Sequence, residues 1–382
     1  MFKTVDRKNT QSIKWDQVKR DVCLPFTIAD SEYESPKPII DALNLRVNHG
    51  VFGYTYFDDT YYQIIINYVK RHYGYSINRS EIITTMGVVG SLFYAIKMLD
   101  AKSEGVIIQT PVYNMFYGLI EKTNKKVIEN KLIEEEGYYK MDFDHLEGLF
   151  AQGYKIMILC NPHNPVGRVY RDEELKRLVL LAKKYDVYLL SDEIHADIIL
   201  NDNKFISLMN YYPLYENMMV FISPSKSFNI AGLHISLVIS KNDYLMETYR
   251  KITEDNFFKN PSLLSITALK AAYKDCDDWL IAQNKHLTNN YRIIQDYFKK
   301  HHPQAILSKV EGTYLLWINL QYLNVSCEEV SKAFMEHHIL MAKGTIYSPD
   351  SEGYFRLNFA CSTEQLLEGL HRLSQTIQLL EK

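Results

Sequence analysis

Cysteine is scarce in this sequence, and its pattern excludes two classes of site. The chain of 382 residues has five cysteines, an odd number, and no two of them form a CxxC pair. A disulfide framework or a zinc site built from thiolates is therefore not expected. The pattern is typical of a protein kept in a reducing cytosol.

Long apolar runs and a strong charge of either sign are also missing. No apolar run approaches the roughly 20 residues that a membrane-spanning helix needs, and the charged N-terminal stretch has no apolar segment like that of a signal peptide. The net charge of −3 gives no indication of a nucleic-acid partner or an acidic membrane surface. We expect a cytoplasmic protein that binds neither nucleic acid nor membrane.

Short apolar runs alternate with helical patterns from about residue 80 to about residue 240. The runs are GVIIQT, YKIMILC, VYLLS, MMVFIS and ISLVIS. Runs that are apolar on both faces are typical of buried parallel strands. The pattern therefore predicts an α/β domain with a mostly parallel sheet between helices.

The pattern changes after about residue 280. A long polar helix leads into the strand-like runs TYLLWINL and YFRLNFA, with further helices between and after them. We interpret 281–382 as a smaller α+β domain, which residues 1–40 join because they are irregular and precede the first good helix. The large domain is then 41–280, and two domains suit a chain of this length.

Polar side chains follow several predicted strands at the point where each strand ends. Asn164 follows YKIMILC and Asp192 follows VYLL. Lys226 follows MMVFI, between Ser225 and other small residues, and Tyr113 follows VIIQ. Because ligands of parallel α/β sheets bind beyond the carboxyl ends of the strands, we expect these groups to meet in one crevice.

A glycine turn precedes the apolar helix in TTMGVVGSLFYAIKML. The backbone N–H groups of Gly87, Val88 and Val89 would be free at the N-terminus of that helix, where phosphate binds readily. Alone, such a sequence is more often only a turn. It gains weight from the polar groups that are expected nearby.

One cofactor, pyridoxal 5′-phosphate, accounts for the whole set. Lys226 would form its Schiff base, Asp192 would keep the pyridine nitrogen protonated, and Tyr113 would stack on the ring. A neutral amide would reach the ring hydroxyl, while Ser223, Ser225 and the helix amides would hold the phosphate. Each residue alone has an ordinary explanation, such as a surface lysine or a helix cap, so the prediction depends on the combination.

A metal site is the rival interpretation for part of this set. Its ligands would come from Asp192, His195, Asp197 and His163. Asp192 and His195 lack the i,i+4 helical spacing that would direct them at one ion, and no second histidine and carboxylate motif is paired with them. No metal is predicted.

Ordered motifs along nearly the whole chain resemble those of the fold-type I pyridoxal-phosphate enzymes, the aminotransferase class I/II superfamily. They are KWD at 14–16, HGVFGYT at 49–55, MGVV at 86–89, TPVYNMF at 110–116, NPHNPVGRV at 161–169, SDEIHADI at 191–198, SPSKSFNIAGL at 223–233 and YFRLNFA at 354–360. Within the superfamily, the sequence is similar to the carbon–sulfur lyases of the MalY/PatB type, which are cystathionine β-lyase-like.

The resemblance implies a role for each site residue. Catalysis would depend on Lys226, Tyr113 and Tyr54, with Tyr54 reaching the phosphate from the neighbouring subunit of a homodimer that shares its active sites. The amino-acid substrate would contact Arg356, Asn164 and Tyr113, with Arg356 binding the α-carboxylate. The implied cofactor contacts are Lys226, Asp192, Asn164, Tyr113, Gly87, Val88, Val89, Ser223, Ser225, His195 and Tyr54.

Two positions depart from the aminotransferase pattern. Many aminotransferases have a phosphate-binding arginine eight residues after the lysine, where this chain has His234. The carbon–sulfur lyase subgroup also lacks that arginine, so the departure favours a lyase. His195 stands where aminotransferases commonly have a tyrosine, and it would support Asp192 or the ring hydroxyl.

The predicted function is therefore that of a pyridoxal-phosphate-dependent carbon–sulfur β-lyase. It would cleave L-cystathionine or related S-substituted cysteines to pyruvate, ammonia and a thiol. An aminotransferase on the same scaffold is the first alternative. A pyridoxal-phosphate protein with a regulatory, protein-binding role is the second.

Overall fold

The computed structural model of the protein describes residues 2–17, 23–258 and 260–381. The helices are α1 Ile13–Asp16, α2 Lys37–Asn48, α3 Asp59–Tyr73, α4 Val88–Met98, α5 Met115–Glu121, α6 Phe143–Ala151, α7 Asp172–Tyr185, α8 Pro224–Ser227, α9 Asp243–Asp255, α10 Leu263–Asp275, α11 Asp277–His301, α12 Cys327–Glu336 and α13 Thr363–Leu380. The strands are β1 Leu24–Pro25, β2 Ile82–Thr85, β3 Gly105–Ile108, β4 Lys126–Glu129, β5 Ile133–Glu135, β6 Tyr138–Lys140, β7 Ile156–Cys160, β8 Tyr188–Asp192, β9 Met218–Ile222, β10 Ser236–Ile239, β11 Ile306–Leu307, β12 Leu315–Asn319, β13 Ile339–Leu340, β14 Ala342–Lys343 and β15 Tyr354–Asn358.

The large sheet has the strand order β2-β10-β9-β8-β7-β3-β4. Strands β9, β8, β7, β3 and β4 pair in parallel, whereas β10 runs antiparallel to both β2 and β9. The predicted mostly parallel α/β sheet is confirmed. The expectation that ISLVIS forms a parallel strand is wrong, because an apolar run reports burial on both faces and not strand direction.

Side chains along each central strand alternate between two apolar layers. In β7, Met157 and Leu159 pack in the layer that contains α3, α7 and α10. Ile156 and Ile158 pack in the opposite layer, with α4, α5 and α9. Burial of both faces explains the continuous apolar runs in the sequence, and it leaves the carboxyl edge of the sheet for polar groups.

A second sheet, antiparallel, has the order β11-β12-β15-β14 and packs with α12 and α13. The N-terminal segment lies on it. Phe26 and Tyr33 join the same apolar cluster as Leu316 and Phe355, and β1 pairs in parallel with β13. The grouping of 1–40 with the C-terminal region stays a prediction: α2 already begins at Lys37 and its Ile39 packs in the core of the large sheet, and residues 1 and 18–22 lie outside the described part.

Helix α11 crosses the division that we drew at residue 280. Its first turn packs on the large-sheet side through Leu280, and Asp277 there accepts from the Arg71 Nε of α3 at 2.8 Å. Further along, Leu287 and Tyr291 belong to the apolar cluster of the second sheet. One long helix therefore connects the two cores.

Candidate active site

A cleft of about 600 Å³ lies where the carboxyl edge of the large sheet meets β15 and the N-terminal segment. It brings together all the predicted site residues except Tyr54. Those that line it are Gly87, Val88, Val89, Tyr113, Asn164, Asp192, His195, Ser223, Ser225, Lys226 and Arg356. The crevice expected from the strand ends is therefore present, and it draws residues from 87 to 356 into one place.

Lys226 lies in the short helix α8, directly after strand β9. Pro224 occupies the first turn, and the Ser223 hydroxyl accepts a hydrogen bond from the Ser225 N–H at 3.1 Å. The Lys226 amine donates to the Ala29 carbonyl at 2.6 Å. Burial lowers the pKa of Lys226 to about 8, while the nearby Asp30 opposes that shift. A measurable fraction of the amine is then neutral near pH 7.

Asp192 is the last residue of β8 and is buried. One carboxyl oxygen accepts from the Ile194 N–H at 3.0 Å. Burial raises the pKa of this carboxyl to about 7, with the Ile194 hydrogen bond and the charge of Lys226 acting in the opposite direction. A cationic nitrogen placed against Asp192 would offset the cost of burying its charge.

Arg356 points from β15 into the cleft and is only 4% exposed. One terminal nitrogen donates to the Asn164 side-chain oxygen at 3.1 Å, and the other donates to the Thr27 carbonyl. The guanidinium lies 4.9 Å from the centre of the Tyr347 ring. Its Nε has no partner among the residues that the structure describes, so a donor remains for an anionic ligand.

The N-terminus of α4 borders the cleft with the backbone of Val88 and Val89. Their N–H groups belong to the first turn, which has no acceptors within the helix. Gly87 has a φ of 116°, a conformation that L side chains rarely adopt. Its N–H donates to the Ser236 hydroxyl at 3.0 Å, so the expectation that this amide is free for a ligand is wrong for this structure.

The two predicted serines differ in how they are bonded. The Ser223 hydroxyl donates to the Ile235 carbonyl at 2.6 Å and also accepts from the next turn, so it serves the chain itself. The Ser225 hydroxyl, by contrast, has no hydrogen-bond partner in the described part of the chain. Ser225 is therefore the serine whose hydroxyl can bind a ligand without losing an existing bond.

Tyr113 and His195 contribute neutral groups to the cleft. Burial raises the pKa of Tyr113 to about 12, and the neighbouring Asp192 adds to the shift. His195 packs edge-on to Tyr314 with ring centres 5.7 Å apart. Burial, assisted by Lys226 and Arg356, lowers its pKa well below the ordinary value. Its Nδ1 has no hydrogen-bond partner among the described residues, so support of Asp192 by His195 stays a prediction.

The residues of the rival metal site have separate partners. Asp197 accepts from Tyr73 at 2.7 Å and from Ser227 at 2.6 Å. His163 contacts the Pro111 carbonyl at 2.9 Å through Nε2 and the Tyr170 hydroxyl at 3.1 Å through Nδ1. Both ring nitrogens of His163 and both oxygens of Asp197 are thus used within the chain.

Tyr54 lies apart from the cleft of its own chain. The stretch from residue 50 to residue 58 forms neither helix nor strand, and the Tyr54 side chain is fully exposed. Its neighbours Val51, Phe52 and Tyr56 are each more than half exposed. A stretch with this much exposed apolar and aromatic surface is typical of an interaction site.

The backbone of the N-terminal segment belongs to the site, and sequence reasoning missed it. The carbonyls of Ala29 and Thr27 accept hydrogen bonds from Lys226 and Arg356, the two cationic side chains of the cleft. Carbonyl groups occur in every residue, so no sequence signal marks these two. The wall residue Tyr347 was also missed, because it follows no predicted strand.

A network of charges fixes that segment. Lys14 forms ion pairs with Glu32 at 2.5 Å and with Asp30 at 3.4 Å, and Arg7 binds Asp30 at 2.6 Å. The Trp15 ring N–H donates to Glu32 at 2.9 Å. The KWD motif at 14–16 was the only signal for this network, since it supplies the lysine and the tryptophan.

Comparisons with known proteins identify a family to which the whole chain is similar. The aminotransferase class I and II family matches residues 22–373. The chain is 30% identical to cystathionine beta-lyase PatB from Bacillus subtilis, over 98% of this chain and 99% of that protein. It is 31% identical to protein MalY from Escherichia coli, over 98% of each.

A solved structure shows the same fold. Cystalysin from Treponema denticola, which contains a pyridoxal 5′-phosphate cofactor, superposes with a TM-score of 0.95 at 32% identity, covering 99% of this chain and 98% of that one. The predicted fold-type I architecture is confirmed.

Proposed function

This chain belongs to the aminotransferase class I and II family, and from that premise we propose that it is a pyridoxal-phosphate-dependent carbon–sulfur β-lyase. Its substrates are L-cystathionine or related S-substituted cysteines, and its products are pyruvate, ammonia and a thiol. The proposal rests mainly on one observation: Lys226, whose pKa is lowered, shares one cleft with the buried side chains of Asp192 and Arg356. Similarity to the cystathionine beta-lyase PatB supports the choice of reaction.

The groups that line the cleft fit this cofactor. Asp192 suits a protonated pyridine nitrogen, because a cation there would stabilise its buried charge. The first-turn amides of α4 and the Ser225 hydroxyl suit a phosphate. His195 Nδ1 and Arg356 Nε are buried nitrogens that find no hydrogen-bond partner in the described ranges, so they are left for ligand atoms.

The bound cofactor supplies an electron sink that makes the substrate α-proton acidic and lets a β-thiolate leave. Lys226 is the residue that holds it covalently and then, as a free amine, takes the α-proton. Its pKa of about 8 suits a general base near neutral pH. Tyr113 keeps the ring in place by stacking on one face.

Arg356 orients the substrate. Its guanidinium binds the α-carboxylate, while the bond to Asn164 at 3.1 Å and the Thr27 carbonyl fix the plane of the group. A fixed carboxylate places the Cα–H bond toward Lys226, and such positioning accounts for a large share of enzymatic rate. Asn164, held beside the arginine, would bind the ring hydroxyl of the cofactor.

The active unit is a homodimer with shared sites. Tyr54 of each subunit reaches the phosphate in the cleft of the other. The exposed side chains of Val51, Phe52, Tyr54 and Tyr56 support this arrangement, because association would remove them from water.

We place the enzyme in the cytoplasm, in sulfur amino-acid metabolism. Within the described ranges, the five cysteines form no disulfide with one another and all are buried, as suits a reducing compartment. Within the described ranges, no helix is long and apolar enough to cross a membrane.

A product assay separates the lyase from an aminotransferase. Purified protein is supplied with cystathionine, cysteine or S-alkyl cysteines, with and without a 2-oxo acid. The lyase releases pyruvate and ammonia from cystathionine, together with homocysteine, without any added acceptor. Turnover that requires the 2-oxo acid and releases no ammonia would establish the aminotransferase instead.

A further inference from the structure

Among the described residues that line the cleft, Lys226 is the only lysine and Arg356 the only arginine. The two cationic residues that line the cleft are Lys226, bonded to the Ala29 carbonyl, and Arg356, bonded to Asn164. What remains for a phosphate is the first turn of α4 and the Ser225 hydroxyl. A phosphate dianion gains most from donors that are themselves charged, and few donors remain at this end of the cleft. A nearby imidazole would be a further side-chain donor to the phosphate.

His234 lies at this end of the cleft. Residue 235, next to it, accepts the Ser223 hydroxyl bond at 2.6 Å through its carbonyl. Residue 236 receives the Gly87 N–H at 3.0 Å on its hydroxyl. The backbone just after His234 is therefore tied both to the serine turn before Lys226 and to the glycine before α4, and His234, an exposed residue, is among those that line the cleft.

Hydrogen bonds fix the backbone at His234, whereas the His234 imidazole forms none with the described residues. His234 has a φ of 47° and ends the turn Ala231–Leu233, where its N–H bonds to the Ala231 carbonyl at 3.2 Å. The Ser265 hydroxyl of α10 donates to the Leu233 carbonyl and secures the turn. No hydrogen bond or ion pair involves the imidazole in the part of the chain that the structure describes.

We propose that His234 is a cofactor-binding residue whose imidazole donates to the phosphate group of pyridoxal phosphate. The proposal rests on the cofactor assignment above. An imidazole has a ring N–H that can donate to a phosphate oxygen, in addition to the Ser225 hydroxyl and the backbone amides at this end.

The test compares three variants of the full-length protein. His234→Ala removes the donor, His234→Arg replaces it with a permanent cation, and His371→Ala changes an exposed histidine on α13 that does not line the cleft. Dissociation of pyridoxal phosphate from the holoenzyme is followed by absorbance after dilution. The same measurement with pyridoxal, which has no phosphate, gives the phosphate-specific part.

We expect His234→Ala to weaken pyridoxal phosphate binding roughly three- to tenfold, and to leave pyridoxal binding unchanged. His234→Arg should bind at least as tightly as the unchanged protein. The phosphorus NMR resonance of the bound cofactor should shift in His234→Ala and stay in place in His371→Ala.

The proposal is overturned if His234→Ala binds the cofactor as tightly as the unchanged protein with the same phosphorus resonance, or if pyridoxal and its phosphate lose affinity equally. Such results would leave the lyase assignment intact, because product formation is measured separately. A protein that takes up no pyridoxal phosphate at all would overturn the proposed function together with this inference.

Discussion

Two regions of the molecule that are both expected to serve the site differ sharply in their state. The groups around Lys226 and Arg356 are buried and bonded within the chain, down to the carbonyls of Ala29 and Thr27. The stretch around Tyr54 is exposed and has no regular structure. A single chain thus assembles the groups around Lys226 and Arg356, the first and buried half of the proposed site, and leaves the stretch around Tyr54, its second half, exposed to solvent.

The two regions differ in what holds their side chains in place. Strand ends and short helices of the large sheet hold the first half in place, because the apolar layers on both sheet faces leave them little freedom. The side chains of Val51, Phe52, Tyr54 and Tyr56 are left exposed by the part of the chain that the structure describes. If the homodimer that we propose forms, the second half is fixed by association instead of by folding.

The largest expected effect comes from removing the centre of the buried half. Lys226→Ala should lower turnover of S-substituted cysteines by about a thousandfold or more, since both the covalent anchor and the general base are lost. Pyruvate release measures the rate, and Lys176→Ala on the exposed face of α7 is the matched control. The variant should still bind some cofactor without a covalent bond.

Reduction with borohydride tests independently whether Lys226 forms the imine with the cofactor. Reduction of the unchanged protein should fix the cofactor onto the peptide that contains Lys226. A colourless protein, or a label on another lysine, would show that the buried half is not a pyridoxal-phosphate site.

The buried half could be predicted from the sequence because chain direction and burial are both readable there. Apolar runs mark the strands, and the polar residue after each run must lie at the same edge of a parallel sheet. That reasoning placed Asn164, Asp192 and Lys226 together, as the cleft shows. It failed for β10, whose antiparallel direction leaves no trace in an apolar run.

Other features of the site could not be read in this way. Bonding within the chain decides which donors stay available, and a sequence does not show it: Ser236 takes the Gly87 amide, and the Ile235 carbonyl takes the Ser223 hydroxyl. The carbonyls of the N-terminal segment carry no side-chain signature. For Tyr54, a family resemblance gave a role that the fold of one chain cannot test.

The second prediction tests whether the two halves meet across subunits. A Tyr54 variant chosen to abolish turnover is refolded with Lys226→Ala. In the mixed dimer one site has both defects, while the other has an intact lysine from one chain and an intact tyrosine from its partner. Each mixed dimer should recover roughly half of the normal activity, since one of its two sites is complete.

A second pair serves as the control for this experiment. Lys226→Ala combined with Arg356→Ala leaves one defect in each site, because both residues serve the cleft of their own chain, and the mixed dimer should stay inactive. Recovery of activity in this pair would show that we have assigned the residues to the wrong chains. The absence of recovery in the Tyr54 pair, despite confirmed mixed dimers, would show the same.

The smallest expected effect concerns stability, and it tests the buried half without any catalysis. Burial raises the pKa of Asp192 to about 7, whereas an unfolded aspartate titrates near 4. Between those values the native state holds a proton that the unfolded state has lost, so the free energy of unfolding of the cofactor-free protein falls as pH rises, by at most ~1.4 kcal/mol per pH unit from this group. Asp192→Asn should make that slope shallower in urea titrations from pH 4 to pH 7.

Saturation with pyridoxal phosphate should make the unchanged protein resemble the variant, because the pyridine nitrogen stabilises the carboxylate. Glu193, whose pKa burial also raises to about 7, does not line the cleft, so its share of the slope should persist with cofactor bound. An unchanged slope in Asp192→Asn would mean that the carboxyl is already ionised in the cofactor-free protein. Burial would then not control the protonation of Asp192, contrary to the contrast drawn with the exposed Tyr54.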